Sequence, residues 1–264
     1  MVAATARIVL KSAREIELMR AAGRVVHRVL EELGRMVRPG VTTAELDARA
    51  EEIVRESGGI ALFKGVRHPQ ARFPFPACIC ASVNEEVVHG IPKDRPLRPG
   101  DIISVDCGVR LKGYCGDAAR TFPVGAVSPD VQRLLDVTRE VLAIAIREIQ
   151  PGRRWREVAR LMQRRAEEDG FGVVREFCGH GIGQQMHELP NVPNYVDRQR
   201  NGDFELRPGT TLAVEPMVTA GRADVVLADD SGWTVVTRDR SRAAHFEDTV
   251  AVTENGVDVL TDGR

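Results

Sequence analysis

Apolar residues recur at helical spacing in two separate stretches of the chain, and each time the helical pattern gives way to strand-like runs. In the first stretch Ser12 and Glu15 have capping-box spacing, and Ile16, Met19, Val26, Leu30, Leu33 and Val37 follow at helical intervals up to Pro39-Gly40. Thr42 and Glu45 repeat the capping box and open a second helix through Leu46, Ile53 and Val54, which stops before Gly58-Gly59. A Pro- and Arg-rich loop from 65 to 76 feeds an apolar strand over 77–83, and the run from 84 to 92 carries His89. RPGD, at 98–101, turns into the segment 101–122. That segment reads as two strands around Lys112-Gly113, a turn suited to a glycine with positive φ.

The pattern then restarts. Ser128-Pro129 caps a helix through Val131, Leu134, Leu135, Val141, Leu142 and Ile149, ended by Pro151-Gly152. A further helix around Trp155, Val158, Leu161 and Met162 runs to Gly170. After FCGHGIGQQMHELP (177–190) and a polar loop come strand-like segments at 211–219, 223–237 and 246–253. RPGDIISVD (98–106) aligns with RPGTTLAVE (207–215), which sets Asp106 over Glu215. The Pro-Gly and Gly punctuation of the two helical pairs is also spaced alike. This internal repeat implies one α+β domain over 1–264 with pseudo-two-fold halves, about 12–122 and 128–253, whose helices cover antiparallel sheet.

Composition narrows the field without naming a function. The 264 residues are 43% hydrophobic and 28% charged with a net charge of −1, ordinary for a globular protein and without the basic footprint of a nucleic-acid binder. The five cysteines show no CxxC spacing, which reads as free thiols in a reducing compartment. The first residues lack an apolar core of signal-peptide length, and no run approaches a membrane span. A soluble, cytoplasmic protein is expected.

The candidate chemistry begins in the segment 101–122. If Leu111 pairs with Tyr114, Asp106 faces Ala119 and shares its face with Asp117. Such diagonal neighbours lie roughly 7–8 Å apart, within reach of one ion. Glu215 in TLAVEPMV and Glu247 in AHFEDTVAV are likewise acids inside apolar strand patterns. One such acid is as well read as an exposed strand position, but four in the same awkward placement favour a shared cation. His180, between glycines that would leave its backbone flexible and its ring uncrowded, offers a nitrogen; His89 and His187 stand as outer groups. His27 and His68 read as structural or solvated, and His245 is undecided. Cys107 and Cys115 read as small packing residues. Four carboxylates and an imidazole suit Mn, Fe(II), Co or Zn, and four negative charges suit two divalent ions. Two ions about 3.5–4 Å apart can activate a water, so the chemistry implied is hydrolysis, most naturally of an amide.

The segments SVNEEVVHGIP, GDIISVDCGVRLKGYCGDAARTF, CGHGIGQQMHELP, AVEPMV and AAHFEDTVAVT together resemble the type I methionine aminopeptidases of the pita-bread metallopeptidase fold, over nearly the whole chain. The resemblance implies that Asp106, Asp117 and Glu247 hold one metal, with Asp117 and Glu247 bridging to a second completed by His180 and Glu215. Glu215 would also shuttle the proton, while His89 and His187 would contact the scissile carbonyl. Phe75, Cys80, Met186 and Trp233 would line a methionine pocket, although any one of them alone reads as core. It also implies that the substrates are nascent polypeptide N-termini whose second residue is small. Ribosome docking stays open, no nucleic-acid or membrane partner is implied, and a monomer is expected. RHPQARFP (67–74) looks longer than the family's loop, which leaves Phe63 and Val66 unassigned to the pocket. The short N-terminus matches the bacterial form. The alternatives are an X-Pro aminopeptidase or dipeptidase of the same fold, and a non-catalytic binding protein that has lost its metal ligands.

Overall fold

Ser12 and Thr42 start the first two helices by the same reciprocal cap. Each side-chain oxygen accepts from the backbone of the glutamate three residues on (3.4 and 3.1 Å), and each glutamate accepts from the cap residue's own N–H (2.8 and 2.7 Å). The resulting helices are α1 (Ala13–Met36) and α2 (Thr43–Glu56). The computed structural model describes residues 7–196 and 203–264. The first half continues through β1 (Ile60–Ala61), β2 (Cys80–Val83), β3 (Glu86–Val88), β4 (Ile102–Leu111) and β5 (Tyr114–Pro123). The second opens with α3 (Pro129–Glu148), capped by Ser128 with proline at the first helical position, and α4 (Trp155–Glu168). Short strands follow: β6 (Gly172–Val173), β7 (Gly179–Gly181), β8 (Glu188–Val192), β9 (Thr211–Val214), β10 (Met217–Thr219), β11 (Val225–Leu227), β12 (Val235–Thr237), β13 (Ala243–His245), β14 (Asp248–Thr253) and β15 (Gly256–Val259).

The β4–β5 hairpin pairs Leu111 with Tyr114 and Asp106 with Ala119 without a bulge. Lys112 and Gly113 both have positive φ (50° and 85°), the geometry a two-residue turn needs to follow the strand twist. On the other edge of β4, β2 and β1 pair in succession. The second half forms a five-stranded sheet, β15-β14-β9-β7-β8, and a three-stranded sheet, β13-β10-β6, while β11-β12-β3 joins a second-half hairpin to β3 of the first half. All pairings are antiparallel, so the structure is α+β as expected.

Alternation decides which face is covered. Ile103, Val105, Cys107 and Val109 of β4 bury against Val26, Leu30 and Leu33 of α1 and Leu46 and Ile53 of α2. In the second half Leu134, Leu135 and Val141 of α3 and Trp155 and Met162 of α4 bury against Leu212, Val214 and Val250. Each such aliphatic side chain contributes roughly 1.5–3 kcal/mol by leaving water. The intervening residues of β4, Asp106 among them, face the opposite side, where the halves meet. There Glu247 donates its N–H to Ala119 O (2.9 Å) and Thr249 Oγ1 both receives from Asp117 N and donates to Asp117 O.

The repeat seen in the sequence has a backbone counterpart. Gly40 and Gly152, Gly58 and Gly170, and the RPG glycines Gly100 and Gly209 all take the left-handed conformation, with φ between 69° and 91°.

Strand lengths differ from the sequence expectation. The apolar run 77–83 is strand only from Cys80 onward, and 211–219 breaks at Glu215-Pro216 because proline has no N–H for the ladder. The segment 223–237 is a hairpin turning through Asp229-Asp230-Ser231-Gly232, and the 246–253 strand starts at Asp248. The polar loop after 190 lies partly outside the described residues.

Candidate metal centre

Asp106 and Asp117 come together by parity, as the unbroken register requires: Asp117 pairs with Gly108, two residues from Asp106. A side chain on Gly108 would meet Phe63 at 2.9 Å and Asp117 Oδ1 at 3.3 Å, so the glycine keeps this space open. Glu247 is set against the hairpin by its bridge to Ala119, and Arg120 ties the next residue through an ion pair to Asp248 (2.6 Å). Glu215 follows β9, its backbone carbonyl receiving from Asn194 Nδ2 (3.0 Å). His180 lies in β7 between Ala213 of β9 and Asn191 of β8. Here the expectation of a flexible, uncrowded backbone fails. A Cβ at Gly179 or Gly181 would fall 2.3 Å from Ala213 O or 2.1 Å from Leu189 O, so the glycines permit close packing of a fixed strand.

Among the described residues, Asp117, His180 and Glu247 each bring one ligand atom within 4.8 Å of the others. His180 Nε2 is 3.5 Å from Glu215 Oε1. His180 Nδ1 lies 2.9 Å from Gly181 O, which keeps the proton on that nitrogen and leaves Nε2 its lone pair. Asp117 and Glu247 are 3% and 2% exposed, while Asp106 and Glu215 reach the cavity wall. Burial, then the neighbouring negative charge, drives Asp106, Glu215 and Glu247 well above the usual carboxylate range; burial pushes Asp117 up to about 7. Asp106 Oδ1, Asp117 Oδ1 and Glu247 Oε1 are buried without hydrogen-bond partners. Orphaned oxygens converging on a lone-pair nitrogen fit a hard divalent cation, which would satisfy them and cancel their repulsion.

A cavity of about 260 Å³ opens above these groups. Its apolar side is built from Phe63, Phe75, Cys80, Met186 and Trp233, backed by Ala77, so the four pocket residues expected from the sequence come together. Phe75 meets Trp233 edge-on at 5.2 Å. Cys80 pairs with Asp106 across β2–β4, which sets the apolar wall one rung from the carboxylates. His89, held at φ 58° after β3, lies edge-on to Phe177, and burial lowers its pKa to about 4. His180 is lowered likewise to about 4. His187 stands at the exposed mouth, its ring 4.3 Å from that of His180, with a pKa lowered by the protein around it.

Sequence reasoning missed several wall residues. Phe63 lines the cavity, as do Val66, Arg67 and His68 of the long loop, whose neck is closed by Gly65 N–H to Phe75 O and Phe75 N–H to Val66 O (both 2.8 Å). His68, read as structural or solvated, thus faces the mouth, its ring 6.2 Å from Trp233. His245 also lines the cavity, 4.0 Å from Glu215 and 3.9 Å from Glu247. The only signal for it was its place two residues before Glu247.

The carboxylate-and-imidazole floor on this fold is that of a metallopeptidase, and the chain belongs to metallopeptidase family M24, whose model matches residues 17–254. Its similarity runs to particular members. It is 47% identical over 255 residues to methionine aminopeptidase 1 of Bacillus subtilis, covering 96% of this chain and 99% of that one. Among solved structures, methionine aminopeptidase from Rickettsia prowazekii superimposes with a TM-score of 0.91 at 35% identity, covering 97% of this chain and 100% of that one. The enzyme from Thermotoga maritima gives 0.90 at 42% identity, covering 97% and 99%. The expected pita-bread architecture is therefore the one observed.

Proposed function

We propose that this chain removes the N-terminal methionine from polypeptides by metal-dependent hydrolysis when the second residue is small. The observation that carries the reading is the Asp106–Cys80 rung, which joins a carboxylate floor to an apolar, sulfur-tolerant wall. Asp106, Asp117 and Glu247 would hold one divalent ion, and His180 and Glu215, together with Asp117 and Glu247, would hold a second. Co, Mn, Fe(II) and Zn all suit these ligands. When bound, such ions polarise the scissile carbonyl and favour ionisation of the attacking water.

The chain's own groups divide the remaining work. Phe63, Phe75, Cys80, Met186 and Trp233 enclose the thioether side chain and exclude water from it. As water adds to the carbonyl carbon, a Glu215 carboxylate oxygen takes its proton and returns it to the departing nitrogen as the C–N bond breaks. His89, whose pKa burial lowers to about 4, and His187, whose pKa the protein around it lowers, donate N–H to the oxygen on which charge develops. The same reading makes nascent polypeptide N-termini the substrates, the cytoplasm the setting, and a monomeric single domain of 1–264 the working unit.

The test is release of the first residue from Met-Ala-Ser, Met-Leu-Ser and Ala-Pro by chelator-treated protein resupplied with Mn, Fe(II) or Co. Met-Ala-Ser is expected to be cleaved and the other two to lag by at least about tenfold, the weight of one or two well-fitted apolar groups. Preferential cleavage of Ala-Pro, or no cleavage with any metal, overturns the reading.

A further inference from the structure

His245 is 2% exposed, lines the cavity, and has no part in the mechanism above. Its backbone is fixed on both sides by one hydroxyl: His245 N donates to Thr121 Oγ1 (2.9 Å), and Thr121 Oγ1 donates to His245 O (2.8 Å). Across the β10–β13 ladder it faces Met217, two residues beyond Glu215, and two residues further along its own chain comes Glu247. That register aims the imidazole between the two glutamates. Nε2 lies 4.0 Å from Glu215 Oε2 and 3.9 Å from Glu247 Oε2, and it is buried with no hydrogen-bond partner. Both distances exceed a hydrogen bond, so a hydrogen bond from Nε2 requires each carboxylate to turn toward it.

Neighbouring groups leave this role vacant. His180 keeps its proton on Nδ1 toward Gly181 O, so its Nε2, facing Glu215 Oε1, is an acceptor or ligand. Asn194 grips the carbonyl of Glu215 and fixes its backbone, but its amide does not reach the carboxylate. The two oxygens of Glu215 thus face different nitrogens, Oε1 toward His180 and Oε2 toward His245.

We propose that His245 is a positioning residue of the metal centre: its Nε2–H donates to the Glu215 and Glu247 carboxylates and holds each in the rotation that turns its other oxygen toward the ion. The proposal rests on the metallopeptidase reading. A carboxylate that both holds an ion and carries a proton must keep its two oxygens distinct, and a donor fixed on one side does this.

The experiment is calorimetric titration of chelator-treated protein with Mn(II), followed by kinetics on Met-Ala-Ser. His245→Leu keeps the volume without a donor, and His245→Gln presents an amide N–H at similar reach. Loss of an outer partner of this kind predicts Mn(II) affinity about ten- to hundredfold weaker in His245→Leu, with kcat lowered and KM little changed. His245→Gln is expected to recover most of both losses. Thermal unfolding of the metal-free variants checks folding, and His245→Asn, too short to reach, replaces the leucine variant if that one fails to fold. Equal Mn(II) affinity in all variants overturns the proposal, as does His245→Gln binding as weakly as His245→Leu with a parental unfolding temperature. A parent that binds Mn(II) but releases no methionine defeats the peptidase reading instead, and the calorimetric ranking of the variants still decides the role of His245.

Discussion

On the floor of the cavity Asp106 Oδ1, Asp117 Oδ1 and Glu247 Oε1 are buried without partners, while on the wall Trp233 donates its Nε1–H to Phe73 O (2.9 Å) and packs edge-on against Phe75. The wall is satisfied by the chain itself: five buried apolar side chains cover one another, and the one polar atom of the indole has its acceptor. The floor is not. Its four carboxylates crowd one another in a setting that disfavours their charge, and only a cation settles all of them at once. Floor and wall therefore respond differently to substitution. A neutral replacement on the floor removes repulsion and harms chemistry; a truncation on the wall removes packing and harms both stability and the choice of substrate.

The largest expected effect separates these two responses. Glu215→Gln is predicted to lower kcat on Met-Ala-Ser about 10²–10⁴-fold, the usual contribution of a positioned proton carrier, while the metal-free protein unfolds at an unchanged or higher temperature. A variant that keeps its rate within about threefold breaks the assignment of Glu215, since so small a change is far below that range. Trp233→Ala is predicted to be smaller in rate and larger in stability. It removes a 7%-exposed ring and should cost about 3 kcal/mol in unfolding free energy, while the preference for methionine over alanine at the first position falls about tenfold. Lost stability with unchanged preference would make the wall mere packing.

The helices and the hairpin half of the site were legible in the sequence because their rules are local. Capping boxes, the Ser128-Pro129 cap and Pro-Gly or glycine stops marked α1 to α3, apolar spacing marked α4, and a two-residue turn fixed the parity of Asp106 and Asp117. The second half was harder to read. Glu215 is placed by a strand break at Pro216 and Glu247 by an isolated bridge to Ala119, neither of which alternation can foresee. His245 was left undecided for the same reason, since its aim between the glutamates depends on the β10–β13 register. The glycines around His180 were read as freedom when they permit contact, because close approach by a neighbouring strand leaves no trace in local sequence.

The central claim is that the floor is completed by a divalent cation, and its signature is a stability that depends on metal and pH together. Raised carboxylate pKa values stabilise the metal-free fold fully below about pH 4, and that contribution is lost as pH rises through the raised values, Asp117 at about 7 among them. Well above pH 6.5, as at pH 8, the buried imidazoles are neutral in both the folded and the unfolded chain, so there the carboxylates set the sign. Protons also compete with the metal for the same oxygens, in the same direction. The direct measurement is thermal unfolding of chelator-treated protein with and without Mn(II) at pH 6.5 and pH 8. At about a hundredfold its dissociation constant, Mn(II) should add about 2.7 kcal/mol, on the order of 5 °C or more in unfolding temperature, with the larger shift at pH 8. No shift, or a shift that shrinks as pH rises, would contradict the account.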